Sequence, residues 1–208
     1  MILEAFVVGM LANNNYLLID DNSKEAVLID CSQYTDELQE KLQEYGAKLK
    51  YVLITHGHFD HILGLNKLHE KMPEVEILAP IGDKDLIEDV VEFVHAFVGN
   101  VEDVKVPHIS KYIDENSEIF IGNEKVQVIT TAGHTKGGVC YFVDNKLFSG
   151  DTIFQESIGR TDLPGGSYEQ IVQSVKKVLE MFADDVKIYP GHGDFTTVAH
   201  EKKYNPVL

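Results

Sequence analysis

The sequence predicts an α/β fold of two similar halves, each a β-sheet backed by helices, with the two sheets packed against each other. Two observations carry the expectation. Strand-type apolar runs come first and helical patterns next, and the same β-then-helix order returns in the second half of the chain. A sheet or helix with one apolar side must bury it on another layer, so this order predicts stacked layers around a core. No repeat, linker or low-complexity tract interrupts it, and 208 residues are ample for a buried interior. A single domain spanning residues 1–208 is expected.

Residues 2–8, 15–19 and 26–30 are short apolar runs separated by Asn, Asp and Ser, the pattern of a β-meander. Leu38, Leu42 and Tyr45 recur at helical spacing over 35–45, and Gly46 stops that helix. A strand follows over 51–55, then a helix over 60–72 with Ile62, Leu65 and Leu68 on one face, then a short strand over 75–79. Residues 83–98 read as one helix with a wide apolar stripe of Leu86, Val90, Phe93, Val94 and Phe97. That stripe is expected to face the core, with a substrate-side flap or a dimer face as the alternatives. Two hairpins are expected, 117–121 with 125–131 around Gly122-Asn123, and 139–143 with 146–150 around Asp144-Asn145. A helix over 168–182 and a strand over 186–190 complete the pattern.

Composition narrows the function. A hydrophobic content of 44% and a charged content of 25% are ordinary for a globular protein. The net charge of −16, with no basic stripe, argues against nucleic acid or an anionic membrane surface as partner. No apolar run approaches the ~20 residues of a membrane span. The N-terminus carries Glu4 and no Lys or Arg, unlike a signal peptide, so a cytoplasmic protein is expected. Cys31 and Cys140 are far apart and flanked by apolar residues, and read as buried, reduced thiols.

The chemistry is concentrated in Thr55-His56-Gly57-His58-Phe59-Asp60-His61, directly after the apolar run Tyr51-Val52-Leu53-Ile54. Alternate side chains of an extended segment point the same way. His56, His58 and Asp60 can therefore converge, and His61 adds a fourth donor. Imidazole suits zinc and iron, and a carboxylate beside imidazoles suits two neighbouring cations. Three more candidates follow β-runs, each preceded by Gly: His134 in Gly133-His134-Thr135, Asp151 in Gly150-Asp151-Thr152, and His192 in Gly191-His192-Gly193. Such positions lie on loops that a rigid scaffold can present, and glycine permits close backbone approach. His69, His95, His108 and His200 lack this context and read as surface or packing residues. Seven donors are too many for one zinc ion and suit two ions sharing a carboxylate.

The series His-x-His-x-Asp-His, then His, Asp and His, resembles that of the metallo-β-lactamase superfamily over nearly the whole chain. The resemblance implies a four-layer αβ/βα sandwich with the metals at one edge of the two sheets. It implies that His56, His58 and His134 hold a first metal, that Asp60, His61 and His192 hold a second, and that Asp151 bridges them. It also implies two divalent ions, zinc first, with iron or manganese accepted by the same set.

Within the superfamily, Ser149-Gly150-Asp151-Thr152-Ile153-Phe154 and Gly159-Arg160-Thr161-Asp162-Leu163-Pro164-Gly165-Gly166 resemble the short glyoxalase II-like (hydroxyacylglutathione hydrolase-like) enzymes. The ending around His192-Gly193, Thr196-Thr197 and Asn205-Pro206 is similar too. The implied reaction is hydrolysis of a thioester such as S-lactoylglutathione by a metal-bridging hydroxide, with Asp60 and Asp151 in the catalytic centre. The C-terminal helical domain that contributes to glutathione binding in full-length glyoxalase II enzymes is not expected. Two divalent ions, two Asp and a hydroxide sum to about +1, so an anionic small molecule is the expected substrate. Arg160 is the only arginine among 18 basic residues. It is expected to grip a substrate carboxylate through both arms of its guanidinium, or else to pair with Asp162. Asp30 is expected either to orient a ligand histidine or to cap helix 35–45.

Rival expectations are a persulfide dioxygenase using one iron, which shares the ligand set, and a lactonase or β-lactamase using the same nucleophile. An RNA-processing nuclease is disfavoured by the charge, and a purely structural metal site by the lack of cysteine donors. A monomer or homodimer is expected.

Overall fold

The computed structural model describes residues 1–99, 101 and 103–208. Strands β1 (Ile2–Val8), β2 (Asn13–Ile19) and β3 (Glu25–Ile29) form the expected antiparallel meander. Helix α1 (Asp36–Tyr45) follows and ends at Gly46 in the left-handed conformation, φ 61°. The chain returns as β4 (Lys48–Leu53), parallel to β3, then α2 (Phe59–Ile62), α3 (Leu65–Lys71) and β5 (Glu76–Pro80). A 3₁₀ turn at Ile81–Asp83 leads into α4 (Lys84–Glu88), α5 (Val90–Phe97) and β6 (Lys111–Ile113), which closes a six-stranded sheet in the order β1-β2-β3-β4-β5-β6.

The second half supplies β7 (Ile119–Ile121), β8 (Glu124–Thr130), β9 (Val139–Val143), β10 (Lys146–Gly150), a small ribbon of β11 (Ile153–Phe154) and β12 (Ser157–Ile158), then α6 (Tyr168–Met181), β13 (Lys187–Pro190), β14 (Thr196–Thr197) and α7 (Val198–Tyr204). Its main sheet runs β14-β13-β10-β9-β8-β7. Both expected hairpins are present, and Asp144 and Asn145 both take positive φ at the second tip.

Three apolar clusters separate four layers. Leu17, Ile19, Ala26 and Leu28 face Leu38, Leu42, Ile62, Leu65 and Val94 of the first helices. Their strand neighbours Tyr16, Leu18, Val27 and Ile29 point the other way and meet Ile121, Val126, Tyr141 and Phe148 of the second sheet. Cys140, Leu147 and Ile188 then pack on Ile171, Val175 and Val178 of α6 and on Val198 of α7. Both faces of each sheet are covered, which is why these strands read as continuous apolar runs. Each fully buried Leu, Ile or Val contributes about 1.5–3 kcal/mol. Both cysteines are buried and free. Among the described residues, no helix is long and apolar enough to cross a membrane.

Two helices differ from expectation. The segment over 60–72 is split at Leu63-Gly64, because the backbone of Cys31 bonds to both sides of the break: its N–H donates to His61 O at 2.9 Å and its carbonyl accepts from Gly64 N–H at 2.9 Å. A Cβ at Gly64 would sit 2.7 Å from Tyr34 N. The segment over 83–98 breaks at Asp89, which leaves helical geometry at φ −90° and ψ 8°. As a result Val90 and Val94 are buried, Ile87 replaces Leu86 in the core, Phe93 lies half-buried, and Phe97 stays 56% exposed. The missed elements β6, β11, β12, β14 and α7 are all seven residues or shorter, too short to show a clear period in the sequence.

Candidate metal centre

His56 follows β4, His134 follows β8, Asp151 follows β10 and His192 follows β13. These are carboxyl ends of strands in both sheets, and the structure brings all seven expected donors together there. His56 Nε2 lies 3.1 Å from His58 Nδ1, which lies 2.8 Å from His134 Nε2. Asp60 Oδ2 lies 3.1 Å from His192 Nε2 and 3.7 Å from His61 Nε2. Asp151 stands between the two triads. Its Oδ2 is 3.5 Å from His134 Nε2 and 3.7 Å from His192 Nε2, and its Oδ1 is 3.4 Å from His61 Nε2. The ligand atoms within each triad fall within 4.8 Å of one another.

Glycine makes this convergence sterically feasible. A Cβ on Gly191 would strike Asp151 Oδ1, and one on Gly150, at φ 49°, would lie 2.6 Å from Thr55 Oγ1.

Outer hydrogen bonds set which ring nitrogen faces inward. His134 Nδ1–H donates to the Arg160 carbonyl at 2.7 Å, and His192 Nδ1–H to the Leu11 carbonyl at 3.1 Å. His61 Nδ1–H donates to Asp30 Oδ2 at 2.7 Å. His56 Nδ1–H reaches Thr55 Oγ1 at 3.1 Å, and that hydroxyl donates to the same Asp30 oxygen at 2.8 Å. Asp30 Oδ1 accepts the Thr55 N–H at 2.8 Å. One buried carboxylate therefore orients a histidine of each triad. It does not cap α1, whose N-cap is Thr35.

The donor chemistry fits divalent cations. Burial, and then the neighbouring imidazoles, push the pKa of His56 well down. Burial and His134 push that of His58 down to about 3, so both offer neutral lone pairs. Burial also disfavours charge on His61, yet Asp30 and Asp151 outweigh it and hold its pKa well above the ordinary value. Burial would raise the Asp151 carboxyl, but His61 outweighs it and the pKa falls far below the carboxylate range. Asp60 falls too, because its bond to His192 and the charge of His61 overcome burial. The two carboxylates thus demand positive charge, which protons on histidine or metal ions can supply. Asp151 Oδ1 and His58 Nε2 are buried with no hydrogen-bond partner among the described residues. An unpaired buried acceptor is costly, and a cation would satisfy the carboxylate oxygen.

Arg160 takes the second of its two expected placements, pairing with Asp162. Its Nε and Nη2 donate to the two oxygens of Asp162, each at 2.7 Å, and its side chain is 60% exposed. Its carbonyl, not its guanidinium, touches the centre. A substrate carboxylate would have to displace Asp162. The remaining histidines lie apart: His69 stacks on His108, and His200 bonds Glu156.

Two supports escaped the sequence reading. Asn13 sets its amide nitrogen 2.9 Å from His61 Nε2, and Asn15 Nδ2 donates to Asn13 Oδ1 at 2.6 Å. Asn14 Nδ2 donates to the carbonyls of Pro190 and Gly193, fixing the His192 loop. Three consecutive Asn at the start of a buried strand, where Asn is disfavoured, were the signal available. Asp83 accepts Gly57 N–H, Thr135 Oγ1–H and Gly137 N–H, tying the first motif to the His134 loop. No local pattern announces it.

Grooves open on both sides of the centre. One of about 590 Å³ is lined by Met10, Tyr34, Asp60, Leu63 and Lys67. The other, of about 460 Å³, runs between α4–α5 and the loops carrying Lys136 and Pro164.

Residues 9–192 match the family model described as the Metallo-beta-lactamase superfamily. Over 198 residues the chain is 34% identical to the hydroxyacylglutathione hydrolase GloC of Haemophilus influenzae, covering 93% of this chain and 92% of that one. The crystal structure of the BLEG-1 B3 metallo-beta-lactamase superposes with a TM-score of 0.88 at 28% identity, covering 99% of this chain and 98% of the other. That of TTHA1623 in a di-iron-bound form gives 0.86 at 28% identity, covering 99% of this chain and all of the other. The matched segment holds all seven converging side chains, and the four layers that carry them are shared along nearly the full chain. By fold and by sequence, the chain belongs to the metallo-beta-lactamase superfamily.

Proposed function

We propose that this protein is a hydrolase that holds two divalent cations and cleaves an acyl thioester. The observation that carries the reading is the position of Asp151, whose two oxygens reach histidines of both triads. In this reading His56, His58 and His134 hold one cation, Asp60, His61 and His192 the other, and Asp151 is shared. The nitrogen and oxygen donors suit zinc, and iron or manganese would also be accepted. Cations bound there supply a nucleophile at neutral pH by lowering the pKa of coordinated water to about 7, and polarise an acyl carbonyl.

The residues of the chain do the rest. Asp60 and Asp151 offset part of the cationic charge. Asp30, Thr55 and the carbonyls of Leu11 and Arg160 hold four imidazoles in their binding tautomers. No cysteine competes as nucleophile. Burial raises the Cys140 thiol to about 11 and the Cys31 thiol further still. A thiolate leaving group suits such a centre because it needs no general acid. Support also comes from the Haemophilus influenzae relative, whose name is that of a thioester hydrolase.

The test is metal content and turnover on one sample. Two metals per chain with thioester cleavage, including S-lactoylglutathione among the substrates, is the expected result. One iron per chain, no hydrolysis and oxygen uptake on glutathione persulfide would replace this reading with a dioxygenase.

A further inference from the structure

The groove on the His58 side has an unusual pairing of floor and rim. Leu86, Phe93, Ala96 and Pro164 give it apolar surface. Asp85, Asp89 and Glu92 lie along it, all exposed, and Lys136 is the one cation among its lining residues. All three line the same groove although the helix breaks at Asp89, so they face one opening. Among the described residues, none of the three has a basic partner within ion-pair distance, although Glu88, just before the break, pairs with Lys84. Like charges at i, i+4 repel, and an incoming cation relieves that repulsion.

None of the seven donors lines the groove, but two of its lining residues, Phe93 and Asp83, neighbour the centre. The ring of Phe93 lies 5.6 Å from that of His58, centroid to centroid. The side chain of Asp83, at the inner end, bonds Gly57 and Thr135, which adjoin His56, His58 and His134 in sequence. A molecule with its reacting carbonyl at the centre can lay its remaining arm here.

We propose that this groove takes the non-reacting arm of the substrate and selects an alkyl chain ending in an amine. This rests on the thioester-hydrolase reading and refines it. The charge of the metals alone favours an anionic substrate, but the groove opposes that for the part lying along α4–α5. A glutathione arm, with two carboxylates and one ammonium, would meet three carboxylates and gain only Lys136.

The test uses metal-loaded protein and two thioethers that cannot be hydrolysed, S-butylcysteamine and S-butylglutathione, with binding followed by NMR titration. Exposed charge pairs are worth a few-fold each, so three together should favour the cysteamine thioether by about 10-fold at low salt. The preference should shrink in 1 M salt. The triple variant Asp85→Asn, Asp89→Asn, Glu92→Gln should bring the two ligands within about 3-fold. Asp89, the N-cap of α5, makes no side-chain capping bond, so Asn there removes none and the fold is preserved.

In parallel, the KM for an acylthiocholine, whose quaternary ammonium cannot capture the acyl group as a free amine would, should rise about 10-fold in the triple variant, with kcat unchanged. Equal binding of the two thioethers, or a preference that survives neutralisation, overturns the proposal. If the thioether preference follows the carboxylates but neither thioester is cleaved, the groove assignment stands and the hydrolase reading fails.

Discussion

The His56, His58, His134 triad and the Asp60, His61, His192 triad differ both in donor chemistry and in surroundings. Every member of the first is buried, and all three are imidazoles. In the second, the His192 side chain is 26% exposed, Asp60 is 10% exposed, and a carboxylate replaces one imidazole. The first is anchored by Thr55 and the Arg160 carbonyl, while the second hangs partly on the Leu11 carbonyl of a hairpin tip whose side chains are exposed. Buried donors are screened less by water and salt, and rigidly oriented ones lose less entropy on binding. The difference teaches that two superficially equivalent sites need not hold a cation equally well. We expect the first triad to retain its metal longer under chelation.

Asp151→Ala should have the largest effect, since it removes the side chain common to both triads. Activity should fall by more than about 100-fold, beyond the loss of an outer-shell partner, and metal analysis should give fewer than two ions per chain. Full activity with both ions retained would mean that Asp151 is not shared.

Next comes a direct comparison of His58→Ala with His192→Ala. The His192 variant should keep one ion per chain under a chelator concentration that strips the His58 variant. Equal loss would erase the proposed asymmetry.

Asp30→Asn keeps the shape but weakens the acceptor for Thr55 and His61. Metal affinity should drop by about 10–100-fold at both sites, read by competition with a chromophoric chelator. A loss confined to one site would show that the shared carboxylate serves only one triad.

The metal-free protein should also lose stability in acid. The folded-state pKa of His58 is depressed from 6.5 to about 3, and that of His56 is lowered as well. Their contribution is present above pH 6.5 and is lost as pH falls toward 3. His61, with a raised pKa, is charged in both states below pH 6.5 and does not offset this. Denaturant titrations should show a slope of up to about 1.4 kcal/mol per pH unit for each histidine, and a flat profile would reject the depressed values.

The smallest effect belongs to Arg160→Lys. Because Asp162 already occupies the guanidinium, KM should stay within about 2-fold of the parent, as expected for an exposed pair. A large rise in KM with kcat intact would return Arg160 to the substrate.

What could be read in advance follows a simple physical divide. His56, His58, Asp60 and His61 were visible as a cluster because they are close in sequence, but the expected extended run through Asp60 ends at His58: the chain turns into α2 at Phe59, so Asp60 joins His61 and His192 instead of His56 and His58. His134, Asp151 and His192 share a strand-Gly context. The layers were legible because continuous apolar strands between helices leave few alternatives. Asn13, Asp83 and the Leu11 carbonyl were not, since each meets its partner across a long stretch of chain. The break after α2 was hidden for the same reason: Cys31 imposes it from outside the helix. At Arg160 compositional rarity left two partners open, and the structure holds the nearer one, Asp162, two residues away.

The donors are divided between the sheets: four follow β4 of the first, while His134, Asp151 and His192 follow strands of the second. Neither half alone completes either the His56, His58, His134 triad or the Asp60, His61, His192 triad. A bound cation is therefore a reversible cross-link across the seam of the sandwich. Stability should rise with free metal, by about 2.7 kcal/mol at a hundredfold excess over the dissociation constant. A chelator should then loosen the docking of one sheet on the other before it unfolds either.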